Sequence, residues 1–279
     1  SLSSSPFSVM GGNDSFGNVW TDSNSNDNYS YEWEEGDWNL YSFSSNDEAG
    51  DVLPIGFDFP FYNEEYSSLI INPNGWIGFG DDNNGWDNIN IPSTDAPLNA
   101  IFALWDDLNP INDNCNSYCS GNVYYYSGMD KFIVWFDEVA HWWTNFENSY
   151  YDFQIVLYPN GDIDVNYHSL TGNHDATIGI QNALGTDGFQ VSSGSGFASN
   201  EKSLLISRGV DWIELAGDSN GQLSYGESMM HNYTVNSAGL ETGNYNSFIK
   251  ITSNGGSAVV SINLNVDSGS EIMTGDVNM

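Results

Sequence analysis

Asp106 and Asp107, followed by Asn109, come directly after the apolar run Ile101 to Trp105. Grouped hard oxygen ligands at the end of a buried strand suit Ca2+. The competing role for the same residues is to cap backbone donors in a turn, which Asp and Asn side chains do well. A second oxygen-rich segment holds Asp81, Asp82, Asn83, Asn84 and Asp87. It offers calcium the same chemistry, or it is a solvated loop.

Trp142, Trp143 and Phe146 lie between two strong strand patterns. Rings held in a loop can stack on sugar faces or anchor a protein partner, or they can tuck beneath the loop as core. Trp86 and Trp38 are further candidates of the same kind. Cys115 and Cys119 flank Asn-Ser-Tyr. A disulfide closing that short loop pins it locally, because stabilisation grows with loop length. It also fits an oxidising compartment. The alternative is a pair of free thiols, since a zinc site needs further Cys or His close by. His141, His168, His174 and His231 stand in no recognisable catalytic frame, and the first three are expected to be structural or solvated. The sequence holds no nucleophile elbow, no His-Glu-x-x-His, no phosphate-cradling glycine loop and no dinucleotide fingerprint. Acidic pairs of the glycosidase kind occur by chance among so many carboxylates, so a polysaccharide-active enzyme is the third functional class after binding and structural roles.

The elements that position these residues are strands. Apolar and polar residues alternate at Phe153, Ile155 and Leu157 and again at Ile163, Val165 and Tyr167, the pattern of strands buried on one face. In that reading Asp162, Asp164 and Asn166 face water. Pro159-Asn160-Gly161 between the two runs is a hairpin turn, and Asn74-Gly75 between Leu69-Ile70-Ile71 and Trp76-Ile77-Gly78-Phe79 is another. Strand signals recur about every 8–12 residues, which favours a sandwich or barrel. The expected fold is all-β: a large, jelly-roll-like sandwich over 1–209, a small Ig-like sandwich over 210–267, and a linker-like tail over 268–279.

The 279 residues carry 38 Asp and Glu against four Lys and Arg, a formal charge of -34. Such a chain repels itself and stays soluble. Salt screens the repulsion over about 10 Å or less. Nucleic acid, whose phosphates need Lys and Arg, is excluded as a partner, and so is an anionic membrane surface. No run of about 18 apolar residues is present to span a bilayer. The 39% hydrophobic and 15% aromatic content rules out disorder, because it can fill a large core. The start Ser1-Leu2-Ser3-Ser4 reads as a processed segment.

Six strings in order resemble a module of exported multidomain bacterial proteins and, more distantly, nidogen-type extracellular domains. They are Gly12-Asn13-Asp14-Ser15-Phe16-Gly17, Leu53-Pro54-Ile55-Gly56-Phe57-Asp58-Phe59-Pro60-Phe61-Tyr62, Asn74-Gly75-Trp76-Ile77-Gly78-Phe79, Ala103-Leu104-Trp105-Asp106-Asp107-Leu108-Asn109-Pro110, Gln154 to Ile163, and Ala176-Thr177-Ile178-Gly179-Ile180-Gln181-Asn182. The resemblance covers 11–208, and the Cys115–Cys119 insertion and the His141-Trp142-Trp143 loop depart from it. Over 211–266, Trp212-Ile213-Glu214-Leu215, Gly239-Leu240-Glu241-Thr242-Gly243-Asn244-Tyr245 and Ile249-Lys250-Ile251-Thr252-Ser253-Asn254 are similar to bacterial Ig-like repeats. Gly275-Asp276-Val277-Asn278 resembles the opening of a dockerin-type calcium repeat. Together these resemblances imply a secreted or cell-surface protein. The expected function is a non-catalytic binding or adhesion module, calcium-stabilised, whose partner is a polysaccharide or protein at the cell surface. The alternative is a structural subunit of a filament or surface layer that binds copies of itself by strand addition through Ser1 to Met10 or the tail from Asp267.

Overall fold

The computed structural model describes residues 2–3, 11–12, 14–25, 29–80, 85–111, 121–142, 148–208, 212–216, 224, 226–238, 240, 242–253 and 256–267. The chain divides into two compact units, Val9–Arg208 and a second made of Ser1–Ser8 with Gly209–Met279.

All described regular structure is β. In chain order the strands are β1 (Leu2–Ser3), β2 (Gly11–Gly12), β3 (Asn18–Asp22), β4 (Asn39–Tyr41), β5 (Leu53–Phe61), β6 (Glu64–Asn72), β7 (Trp76–Gly78), β8 (Ala100–Trp105), β9 (Asn122–Ser127), β10 (Phe132–Ala140), β11 (Tyr150–Leu157), β12 (Ile163–Thr171), β13 (Thr177–Gln181), β14 (Gly188–Ser193), β15 (Lys202–Arg208), β16 (Ile213–Ala216), β17 (Asn232–Val235), β18 (Gly243–Ser253) and β19 (Gly256–Val266).

In the large unit two antiparallel sheets pack face to face. One has the order β2-β3-β15-β12-β11-β10-β9-β4 and the other β14-β13-β8-β7-β6-β5. Alternation along the strands makes the core between them: Val134, Phe136, Phe153, Ile155 and Val165 from the first sheet meet Ile55, Leu69, Ile71, Ile77 and Ile101 from the second. Phe136 and Phe153 stack with centroids 4.6 Å apart. Both hairpins read from the sequence form, β6 with β7 and β11 with β12.

The outer faces are not simply wet. Behind the six-stranded sheet, Ile70, Trp76, Ile91, Ala96, Ala100, Phe102 and Trp105 form a second apolar cluster. The carbonyl of Gly85 ties a loop over it by accepting both indole N–H groups, from Trp76 at 3.1 Å and Trp105 at 2.6 Å. Residues 29–38 run as a strap across the outer face of the eight-stranded sheet. The Tyr29 hydroxyl donates to Asp164, the Glu34 N–H to Gln154 Oε1, and Gln154 Nε2 returns a bond to the Glu34 carbonyl. Lys131 holds Glu34 at 2.5 Å, and Trp38 packs on Trp135. This corrects the expectation of a solvated face: Asn166 and Gln154 are buried, and Asp164 is half-buried.

The strap has a pH consequence. Burial pushes the Asp164 carboxyl up to about 6; the Tyr29 hydrogen bond opposes the shift and the charge of Asp162 adds to it. A folded-state value above the unfolded one of about 3.9 means that the contribution of this group is fully present below pH about 4 and lost as pH rises through about 6. Asp164→Asn keeps an acceptor for Tyr29 and removes that loss. We expect it to stabilise the protein by about 1–2 kcal/mol at neutral pH and not at all at pH about 4. Urea unfolding at the two pH values checks this.

In the second unit β16 pairs with β17, and β1, β18 and β19 form a three-stranded antiparallel sheet with β1 at its edge. Trp212, Ile213 and Ile262 form its buried cluster, with Leu240, Val260 and Leu264 packed against them. Asn263 and Asn265 are exposed, as the alternation of the last strand requires. The tail 268–279, with its dockerin-like string, lies outside the described residues.

Candidate functional site

The end of the sandwich where β8 and β10 stop and β11 and β13 start gathers most of the chemistry. Two β-bulges decide what points into it. Between β8 and β13 the register runs Phe102 to Gly179 and then Trp105 to Thr177, so β8 carries one extra residue. The N–H groups of both Ala103 and Leu104 bond to the Gly75 carbonyl, at 3.2 and 3.1 Å. Strict alternation would place Leu104 with Phe102 on the outer face. The bulge turns Leu104 inward instead, and Asp106, two residues on, takes the same inward parity. The second bulge is in β10, where Phe136 faces Phe153 but Val139 already faces Tyr151. The extra residue includes Glu138 at a φ of 49°. It restores Val139 to the core and gives His141 the same side.

As a result His141 Nε2 lies 3.1 Å from Asp106 Oδ1, with each residue 2% exposed. Asp106 Oδ1 also accepts the Asp107 N–H at 2.9 Å, and Oδ2 accepts the Asp175 N–H at 3.1 Å. Burial raises the affinity of this carboxyl for a proton. The hydrogen bond and charge of His141 and the two N–H groups outweigh it, holding the group below the usual carboxylate range. Asp175 is exposed and pushed up, by burial of its carboxyl and by the nearby charge of Asp106. Asp106, His141 and Asp175 each bring a ligand atom within 4.8 Å of the others.

His174 adjoins this group. It is 6% exposed, its Nδ1 has no hydrogen-bond partner, and burial lowers its pKa. The Tyr151 ring packs edge-on against both His141 and His174, and its hydroxyl donates to the Asn173 carbonyl. Chemically this is a buried, charge-assisted Asp–His pair with a second carboxylate and a second imidazole beside it, open to solvent at Asp175.

The other residues singled out in the sequence fall as follows. Asp107 and Asn109 are buried beside the centre and tie β8 to β10: the Asp107 carbonyl accepts the Trp142 N–H at 2.8 Å, and the Asn109 N–H donates to Ala140 at 2.9 Å. Trp142 is 44% exposed and Trp86 40% exposed. The Trp142 N–H donates to the Asp107 carbonyl, and Trp86 follows Gly85, whose carbonyl accepts the Trp105 indole, so both loops are tied to the end of β8. Trp38 is half-buried in the strap. Asp81, Asp82, Cys115, Cys119, Trp143 and Phe146 lie outside the described residues. Sequence reading set His141 and His174 aside as structural or solvated, and it did not single out Asp175. A usable signal was present in the adjacency of His174 and Asp175 to the strand that pairs with the Asp106 strand.

One further arrangement was not foreseen. Trp33, Trp38, Tyr124 and Trp135 cluster on the outer face of the eight-stranded sheet, with Trp33 also against His168 at 4.9 Å. All four rings are half-buried, and the Trp135 indole donates to Asp152. The cluster anchors the strap.

Searches of curated proteins and of solved structures find no match to this chain. A family described as NIDO related matches residues 20–206, a span that takes in the whole six-stranded sheet, most of the eight-stranded one and every residue of the site just described. Since that match covers more than half of the sequence, the chain belongs to the NIDO-related family.

Proposed function

We propose that this protein is a non-catalytic extracellular adhesion module that holds a cell-surface polysaccharide at the loop end of its large sandwich. One observation carries the reading: Trp86 and Trp142, the two exposed tryptophans among the described residues of that unit, come from loops about 55 residues apart in sequence that are both tied to the Trp105–Asp107 segment, one through Gly85 and the other through the Trp142 N–H. Indole faces stack on sugar rings, and carboxylates accept sugar hydroxyl hydrogens. Membership of the NIDO-related family agrees with an extracellular setting. The charge of -34 agrees with a neutral rather than a polyanionic glycan. The second unit, in this reading, is an Ig-like spacer, and calcium at the acidic loops contributes stability rather than chemistry.

The test is a glycan array followed by affinity electrophoresis, comparing the protein with Trp86→Ala, Trp142→Ala and the double variant. Each single change is expected to weaken binding about 5- to 100-fold, the range of about 1–3 kcal/mol for one exposed aromatic anchor. Retention of full binding by the double variant rejects the proposal.

A second reading is favoured by β1, which occupies the edge of the β18–β19 sheet although its residues precede the large unit. The same strand placed on the β18 edge of another copy would build a filament. Electron microscopy of purified protein distinguishes the two: ordered fibres favour assembly, and dispersed monomers with glycan affinity favour the module.

A further inference from the structure

We infer that Asp106, His141, Asp175 and His174 form a binding site for a single divalent first-row transition metal, with Zn2+ the best fit. The inference is independent of the glycan reading, because it rests on the buried side of the same end and not on its tryptophans.

Three observations converge. First, the ligand atoms of Asp106, His141 and Asp175 already lie within 4.8 Å of one another. Two atoms bound to tetrahedral Zn2+ at about 2.0–2.1 Å stand about 3.3 Å apart. The 3.1 Å between His141 Nε2 and Asp106 Oδ1 is close to that edge. Second, His174 keeps an unpartnered Nδ1 while 6% exposed. A buried ring nitrogen without a partner is costly, and a metal bond is one way to satisfy it. Tyr151 packs edge-on against both imidazoles, 6.4 Å from His141 and 6.0 Å from His174 between ring centroids; His174 stands beside the 4.8 Å group of Asp106, His141 and Asp175 and would turn its ring to complete it. Third, the first sphere of Asp106 is already oriented. The N–H groups of Asp107 and Asp175 fix its carboxylate, the kind of support that orients metal ligands in general.

The donor set decides the ion. Ca2+ takes six to eight oxygen ligands in general, whereas two imidazoles and two carboxylates are a four-coordinate set that Zn2+ favours. The centre therefore departs from the oxygen-only calcium site that Asp106, Asp107 and Asn109 suggest in the sequence. Three ligands stand in place, and His174 would supply the fourth; with that position filled the ion would be structural, locking the β8, β10 and β12–β13 ends together.

The experiment is titration of the EDTA-treated full chain with ZnCl2, CaCl2 and CoCl2, followed by calorimetry, thermal melting and visible absorption. We expect one tight Zn2+ per chain, a rise in melting temperature that persists when CaCl2 is already present in excess, and the d–d absorption of tetrahedral Co2+. His174→Gln and Asp175→Asn remove ligands without breaking the Asp106–His141 pair, so both should fold in EDTA as the parent does. Each should weaken Zn2+ by more than about tenfold, the lower bound seen for residues that merely support ligands, and should abolish the Co2+ band. Absence of Zn2+ binding by the parent overturns the proposal. So does Zn2+ binding that both variants retain, which would mean diffuse attraction to surface carboxylates, and so does a preference for Ca2+.

Discussion

Asp106→Ala is expected to destabilise the large unit by about 3–5 kcal/mol in EDTA, without any metal. The carboxylate accepts His141 Nε2 and the N–H groups of Asp107 and Asp175, in a setting where both Asp106 and His141 are 2% exposed. Truncation leaves all three donors without their acceptor. Each buried unsatisfied group costs about 1–3 kcal/mol, so the three donors together set the expected loss at about 3–5 kcal/mol. Asp106→Asn keeps an acceptor and the volume but loses the charge, so it should cost roughly half as much. The sign with pH is also fixed. Because His141 and the N–H groups hold the Asp106 carboxyl below its usual range, its contribution is present above pH about 3.9 and fades as pH falls through the lower folded value. The difference between parent and Asp106→Ala should therefore shrink in acid. Urea unfolding followed by tryptophan fluorescence between pH 7 and pH 3 measures it. A cost below about 1 kcal/mol at pH 7 would show that water replaces the carboxylate freely, and with it the idea of a closed centre would fail.

Much of the scaffold was legible because burial writes itself into alternation. Phe153, Ile155 and Leu157 and then Ile163, Val165 and Tyr167 announced two strands, and the intervening Asn160-Gly161 announced their turn; β11 and β12 pair as that pattern requires. Alternation also misled at Asn166 and Asp164. Polar residues on the outer face report contact with water or with other polar groups, and here Tyr29, Gln154 and Glu34 supply those groups from a strap whose own sequence is polar. Asp106 stood out as a candidate because acidic residues after an apolar run invite a metal. His141 did not, because strict alternation from Phe132, Val134 and Phe136 assigns it to the outer face. Only the extra residue at Glu138 turns it inward. A one-residue bulge has no periodic signature, yet it reverses every side chain beyond it. Asp175 and His174 were obscured for another reason: they reach Asp106 through the β8–β13 pairing, a contact between residues 69 positions apart.

Acidity and architecture meet at this point. A chain with 38 carboxylates and four cations cannot neutralise its acids by pairing, so it uses hydrogen bonds. Asp14 accepts the N–H groups of Phe16 and Asn18, Asp22 those of Asn24 and Ser25, and Asp106 those of Asp107 and Asp175. Of the cations, Lys131 clamps the strap, Lys202 lies 3.5 Å from Asp22 and over Phe197, and Arg208 covers Phe16. Backbone donors thus perform at acidic turns the task that Lys and Arg perform in ordinary domains, which leaves the net charge free to keep the surface soluble.

Gly75→Ala should cost at least about 3 kcal/mol and should disable the Asp106 centre from a distance. Gly75 has a φ of 80°, where an L side chain is strained by roughly 1–2 kcal/mol. A Cβ there would stand 2.1 Å from the Leu104 carbonyl oxygen and 2.8 Å from its carbon. Both are backbone atoms, so no rotamer change relieves the contact. The strand or the turn must move. The same glycine's carbonyl accepts the two N–H groups that define the β8 bulge, and that bulge is what turns Leu104 inward and Asp106 towards His141. Retreat of β8 from Gly75 therefore removes the reason for the parity change, and Asp106 loses its aim. Two outcomes follow. The costs of Gly75→Ala and Asp106→Ala should be non-additive, the double variant being at least about 1 kcal/mol more stable than their sum, because the first change already spoils what the second deletes. Gly36→Ala, in the strap, where an added Cβ meets nothing within 4 Å, should change stability by no more than about 1 kcal/mol. Full additivity of Gly75→Ala with Asp106→Ala would mean that the bulge and the centre are independent. In that case the orientation of Asp106 would have to come from the Asp107 and Asp175 N–H groups alone.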